Sequence, residues 1–273
     1  MCTIPPAPPL PPRPPPVLSD NHSPTELTKI DSQNPSYDYS GLCEWASEQP
    51  CLWEVCIKYN LCLKSAPYRY KFNNCNSILQ VGPTCGLAAL SMLVKGKVTA
   101  DKILNIAKLE GYSNNGEMFS CINMAKLAEK VFSLADFNNV KCYIRNGGLV
   151  SKEIIDKMLE GAVLLVPYDA DCNHSPCLKN GHTAHWGIIC GIIIIKDAGE
   201  FYDSCQNNIY VISRHGKSRF LAAWSLADLA KSNKNLWEFS PKRGDDGLKY
   251  ILPEGGIGGK EGLRNQFLVI EGL

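Results

Sequence analysis

From Trp186 to Ile195 the chain runs WGIICGIIII, ten residues without a charged or amide side chain. Such a segment has to be buried, yet it is only half of the roughly twenty residues that a membrane-spanning helix needs. It reads as a strand at the centre of a water-soluble fold. The rest of the chain must supply the layers that cover it.

Those layers change character along the sequence. Trp53, Cys56, Ile57 and Tyr59 lie close to helical spacing just after a break at Pro50, and Thr84–Val94, Thr99–Leu109 and Met118–Val131 read as helices. After that the period shortens. Val140–Ile144, Ala162–Tyr168, Trp186–Ile195, Phe201–Asp203, Ile209–Ser213 and Phe267–Ile270 read as strands, with KDAGE as a turn between two of them. Helices at Ser151–Leu159 and around Leu226–Lys231 interrupt the series. Helices first and a largely antiparallel sheet afterwards define an α+β fold, a helical N-terminal part packed on a mostly antiparallel sheet. The glycine-rich DDGLKYILPEGGIGGKEG reads as a long loop, because it lacks the strand-then-helix context of a phosphate site.

The first sixteen residues hold nine prolines, in PPAPPLPPRPPP, and polar, turn-rich sequence continues to about Gly41. A segment so poor in backbone donors stays extended as polyproline II. Residues 1–40 are therefore expected to be a disordered proline-rich arm, and 41–273 the folded domain. Ala7-Pro8-Pro9-Leu10-Pro11-Pro12-Arg13 has the spacing of an SH3 ligand, and the unbroken prolines around it suit profilin equally well.

Charge and cysteine content narrow the class. With 28 basic against 27 acidic residues the chain has no strong electrostatic bias, which argues against a nucleic-acid partner. The N-terminus lacks the basic and apolar regions of a secretory signal, so a cytoplasmic, membrane-free protein is expected. Its thirteen cysteines then read as reduced thiols. Cys43, Cys51, Cys56 and Cys62 lack the paired spacing of a zinc knuckle and are expected to be small buried side chains.

One cysteine differs from the rest. In LQVGPTCGLAAL, Cys85 falls where a helix begins, after a Gly82-Pro83 turn that can present its sulfur. The free N–H groups and dipole of a helix N-terminus favour a thiolate. Gly86 is expected to leave room beside an attacked carbonyl. Gln80, five residues upstream, can donate to the oxyanion together with the Cys85 backbone N–H. A thiol nucleophile needs a base. His185, the first residue of the long apolar strand, is better held than the loop residue His182, which is the runner-up. His215, beside Arg214, reads as a surface residue. Asp203 in EFYDSC is the expected acceptor for the other His185 nitrogen, brought back by a hairpin through KDAGE.

Cys172, His174, Cys177, His182 and His185 crowd into a short stretch of zinc-ligand types, but at no standard zinc spacing. Asp169, Asp171 and Asn173 begin like a calcium loop, which fails at His174 and Asn180. The same loop can instead shape a substrate pocket with its carboxylates. Gly86, Asp169, His182 and Trp186 are the expected substrate-contacting residues, and neither metal nor other cofactor is required.

Gln80…Cys85-Gly86, His185-Trp186 and Asp203 resemble the papain-like cysteine peptidases that process double-glycine leaders in bacteria, where the glutamine usually lies one residue further from the cysteine. A closer resemblance is to the actin maturation proteases, which pair a proline-rich start with LQ-x-GPTCGL-x-AL and VPYDAD-x-NH…GHTAHWG. It spans Ser77 to Ser204 together with the N-terminal arm. The resemblance implies a papain-like cysteine peptidase fold and a thiol aminopeptidase that removes the acetylated N-terminal Met or Cys of immature actin. It also implies profilin binding by the arm. Against it stand another papain-like thiol hydrolase, deubiquitinase or transglutaminase-like, and a catalytically inactive proline-rich adaptor.

Overall fold

Polar caps and apolar faces set out the helices much as the sequence suggests. The computed structural model describes residues 41–196 and 208–273, which belong to one compact unit, Ser40–Leu273. The proline-rich arm, most of the KDAGE turn, the expected strand Phe201–Asp203 and Asp203 itself lie outside the described residues.

Helix α1 (Pro50–Lys58) starts at Pro50, where a break was expected, because proline at the first helical position forfeits an N–H that has no partner anyway. Helix α2 (Cys85–Leu93) is followed by α3 (Ala100–Leu109) and α4 (Cys121–Leu134). Thr99 caps α3 by accepting from Lys102 N–H at 3.3 Å, and Ser120 caps α4 by accepting from Asn123 N–H at 3.3 Å. The Ser120 cap puts the start of α4 after Met118, although the apolar period runs back to that residue. Ser151 and Ser225 cap α5 (Lys152–Leu159) and α6 (Leu226–Lys234) in the same way. A short α7 (Pro241–Gly244) precedes the expected long loop.

The strands are β1 (Arg69–Phe72), β2 (Lys141–Asn146), β3 (Val163–Asp169), β4 (Ala184–Ile194), β5 (Ile209–Arg214), β6 (Ala222–Ser225) and β7 (Gln266–Glu271). They form one sheet in the order β2-β7-β3-β4-β5-β6, and all described pairings are antiparallel. β4 is its spine. β3 pairs with the first half of one β4 edge, from Ala184 to Ile189, and β1 with the second half, from Gly191 to Ile194.

Two apolar clusters cover the two faces. α1 to α4 bury Trp186, Ile188, Cys190 and Ile193 on one side. α5 and α6 bury Ile189, Ile192 and Ile194 on the other, with Tyr168 and Trp224. The side chains change parity along β4 because a bulge falls between Ile189 and Gly191. Glycine is needed there: a Cβ at position 191 would lie 3.0 Å from the Lys71 carbonyl oxygen and 3.2 Å from Ile212 Cβ. Ile188, Ile189, Ile192, Ile193 and Ile194 are each at most 1% exposed, and burial of each contributes about 1.5–3 kcal/mol. The start of β4 is accordingly anchored in the least deformable part of the fold.

Candidate active site

Cys85 is the first residue of α2, and all nine residues of that helix are buried. Its N-cap, Thr84, gives no side-chain bond to the helix; its hydroxyl donates instead to the Val81 carbonyl at 2.8 Å. Donors of the first turn therefore remain for the sulfur, and the backbone N–H groups of Trp186 and Gly86 act to lower its pKa. Cys85, His185, Trp186 and Gln80 line one cavity of 260 Å³.

The thiol is not held as a resting thiolate, contrary to the expectation from its helix position. Burial pushes its pKa up, and this outweighs the lowering by the Trp186 and Gly86 N–H groups and by Arg243 and Lys217. Cys85 is only 9% exposed, so desolvation of a bare sulfur anion costs more than the helix terminus returns. The Gly82-Pro83 turn aims the sulfur into a cavity rather than at open solvent.

His185 sits at the start of β4, directly opposite Tyr168 of β3. Three rings enclose it: Tyr168 edge-on at 5.8 Å, His215 edge-on at 5.7 Å and His174 stacked at 5.9 Å between centroids. Burial, then the charges that His215, His174, Lys217 and Arg243 would add, drive its pKa down to about 3. Among the described residues its buried Nε2 has no hydrogen-bond partner. A neutral imidazole with a free nitrogen, facing the cavity that holds a neutral thiol, can accept the proton of that thiol during attack.

His215 is 3% exposed and not the surface residue that its neighbour Arg214 suggested. It lies one residue beyond the Ile188–Arg214 pair, which turns it toward the same end of the sheet as His185. Its Nδ1 accepts from Lys217 N–H at 3.3 Å, and its ring stacks on Trp224 with centroids 6.2 Å apart. Burial, with His174 and Arg214, lowers its pKa to about 4. His174 is fixed in left-handed backbone geometry, φ 61°, where its carbonyl accepts from the Tyr168 hydroxyl at 2.9 Å. Sequence reasoning missed His174 and His215 as neighbours of the base. The available signal for His215 was its place at the end of an apolar strand antiparallel to that of His185.

Gln80 reaches the cavity, with its Nε2 donating to the Gly82 carbonyl at 2.7 Å and its backbone N–H to the Gly216 carbonyl at 2.8 Å. Asp203 lies outside the described residues. The described strands show the β4–β5 hairpin closing at the bond from Ile195 N–H to the Asn208 carbonyl.

Three expected substrate contacts are corrected. His182 is not among the residues that line the cavity and pairs with Glu238 at 2.8 Å, its side chain 36% exposed. Gly86 serves helix–sheet packing instead of making room for substrate: a Cβ there would collide with Met124 and come within 3.1 Å of Trp186 Cδ1. Asp169 is fully buried and knots the loop that precedes β4. Its carboxylate accepts from the backbone N–H groups of Lys179, Gly181 and Thr183 and from the Thr183 hydroxyl. Trp186 does line the cavity and donates its indole N–H to the Met118 carbonyl at 2.8 Å. Asp169→Asn turns an amide NH₂ toward those donors, and a loss of about 2–4 kcal/mol is expected in urea unfolding. A loss under half a kilocalorie would show that the loop is held by other means.

Among the described residues no cluster of His, Cys, Asp or Glu is arranged to hold a metal ion. Cys43 and Cys56 are buried free thiols as expected, whereas Cys51 is exposed and Cys62 half-buried. No described helix is long and apolar enough to cross a membrane.

A cysteine at a helix N-terminus shares a cavity with a histidine at the start of a buried strand, an arrangement that can support nucleophilic attack by a thiol. The comparisons with known proteins point to a protease. Residues 75–193 match the family described as "Actin maturation protease-like, C-terminal domain". The chain is 42% identical over 231 residues to the actin maturation protease of Drosophila melanogaster, covering 85% of this chain and 82% of that protein. It is 34% identical to the Danio rerio protein of the same name, over 73% of each chain. The Homo sapiens relative is 31% identical, with 71% of this chain and 63% of that one covered. The chain belongs to the actin maturation protease family.

Proposed function

We propose that this chain is a papain-like cysteine peptidase that removes the acetylated N-terminal residue, Met or Cys, from immature actin. The observation that carries the reading is the single cavity lined by Cys85, His185 and Gln80. The names of the relatives point it at actin. At 260 Å³ the cavity falls below the roughly 300–1,000 Å³ of small-molecule sites, a scale suited to one residue with its acyl cap.

In this reading His185 takes the Cys85 proton as the sulfur attacks the carbonyl carbon of the acetylated residue. The oxygen that becomes negative is met by the Cys85 backbone N–H and Gln80 Nε2, which would turn from Gly82 to do so. The C–N bond then breaks, and protonated His185 gives its proton to the departing amine of actin. Water, deprotonated by His185, hydrolyses the thioester and releases the N-acetyl amino acid with the free thiol. Selection of a blocked terminus follows from charge. Lys217 and Arg243 line the cavity, and both repel a free α-ammonium. The carboxylate of Glu117, in the same cavity, is taken up by the backbone N–H groups of Asn114 and Asn115 at 3.3 and 3.0 Å.

The proline-rich arm, residues 1–40, is in the same proposal a docking peptide for profilin or an SH3-type domain. Tethering an actin-bearing partner there raises the effective substrate concentration without new contacts at the site. The purified protein is expected to release N-acetylmethionine from an N-acetyl-Met peptide and leave the unblocked peptide intact, as read by mass spectrometry. Equal hydrolysis of both peptides, or of neither, overturns the reading.

A further inference from the structure

Arg214, the last residue of β5, is a buried cation without a counter-ion. It is 4% exposed, and among the described residues it forms no ion pair. Its guanidinium donates once, to the Arg219 carbonyl at 2.7 Å, while its Nε is buried with no partner among the described residues. A charge taken out of water is costly unless an anion meets it. Arg214 lines a cavity of 60 Å³ between α1 and the loop from β5 to β6, together with Cys51, Glu54, Lys58, Arg219 and Phe220. Lys58, Arg219 and Glu54 form no ion pairs either, among the described residues. Three cations against one carboxylate leave a surplus of two positive charges.

Charge and size together select a ligand. A carboxylate would offset half of that surplus, whereas a phosphate group carries about −1.5 to −2 at pH 7. The planar guanidinium fork matches phosphate oxygens. The cavity is far smaller than the roughly 300–1,000 Å³ of a site that encloses a whole ligand, so it takes a single group and leaves the remainder outside. Phe220, 67% exposed at the same cavity, offers that remainder an aromatic face. We propose that this cavity binds the phosphate group of a small ligand, with buried Arg214 and exposed Arg219 and Lys58 as its donors. It shares no lining residue with the cavity of Cys85.

Binding is measured at constant ionic strength, by calorimetry with inorganic phosphate and with adenosine monophosphate. Iodoacetamide labelling of Cys51 gives a local readout, with Cys172, also exposed, as the internal reference. Phosphate is expected to bind and to slow Cys51 relative to Cys172, and chloride to do neither. Lys58→Ala and Arg219→Ala remove exposed side chains and should each weaken phosphate at least about threefold. Arg214→Lys keeps the charge, loses the fork and should weaken it at least as much. The double variant Lys217→Ala/Arg243→Ala, in the catalytic cavity, should bind phosphate as the wild type does. Tighter binding of the nucleotide, with the gain lost in Phe220→Ala, supports a ligand that carries its phosphate on an aromatic base; equal affinities support the free ion. Neither heat nor protection of Cys51 up to about 20 mM phosphate overturns the proposal. Binding that survives Lys58→Ala and Arg219→Ala but vanishes in the Lys217/Arg243 variant overturns it as well.

Discussion

Cys85→Ala abolishes turnover, by at least about 10⁴-fold in kcat, and leaves the urea midpoint close to that of the wild type. The two halves of this expectation have separate causes. The sulfur is the only part of the side chain that alanine lacks, and it lies against the cavity wall, so little packing is lost; a stability change within about 1 kcal/mol follows. The chemistry has no substitute, because no other described cysteine shares that cavity. Cys121 and Cys190 are also buried free thiols with pKa values driven up by burial, and both sit in the apolar core. Cys121→Ala and Cys190→Ala are expected to alter stability rather than chemistry. Alkylation gives a second readout. With its thiol held neutral by burial, Cys85 in the free protein should react slowly with iodoacetamide at pH 7 and faster as pH rises past 9. Fast labelling that is flat from pH 5 would mean a preformed thiolate. Turnover by Cys85→Ala within tenfold of the wild type would remove the nucleophile assignment altogether.

How far the sequence announces this site depends on whether a residue's role is local. α2 was legible because its signals lie side by side: a Gly-Pro turn, then an apolar run of small residues. His185 was legible over His182 because the first residue of a long apolar strand is held by the sheet, while a residue three places earlier lies in a loop. In the structure His185 is buried, whereas His182 is paired with Glu238 and more exposed. Roles that depend on pairing were hidden. β1, RYKF, alternates basic and aromatic side chains over only four residues, three of them exposed, too short a run to announce itself; it pairs with Gly191–Ile194 of β4 beyond the end of β3. His215 follows an arginine, which reads as surface. Yet Arg214 is itself 4% exposed, its guanidinium donating to the Arg219 carbonyl at 2.7 Å, so the whole SRHG corner turns inward. Asp169 carries the opposite lesson. A loop dense in Asp, Cys and His looks like a ligand set, and here its acid is consumed by the backbone donors of the loop itself.

His185→Gln is expected to lower kcat by about 10³–10⁴-fold, whereas His182→Gln stays within about threefold of the wild type. The pH dependence then separates a neutral base from an ordinary one. In the folded state His185 titrates at about 3 and His215 at about 4, both below the value near 6.5 of an unfolded chain. Below that value the unfolded chain binds protons that the folded one refuses. The stability from this difference is complete above pH 6.5 and drains away as pH falls toward 3, by up to about 1.4 kcal/mol per pH unit for each group. Activity should therefore hold level from pH 8 down to about 5, wherever circular dichroism shows the protein folded, and decline further down only together with the fold. An acid limb centred near 6.5 in protein that is still folded would require a base with an ordinary, solvent-exposed imidazole. The assignment of His185 as the base would then fail even with Cys85 secure.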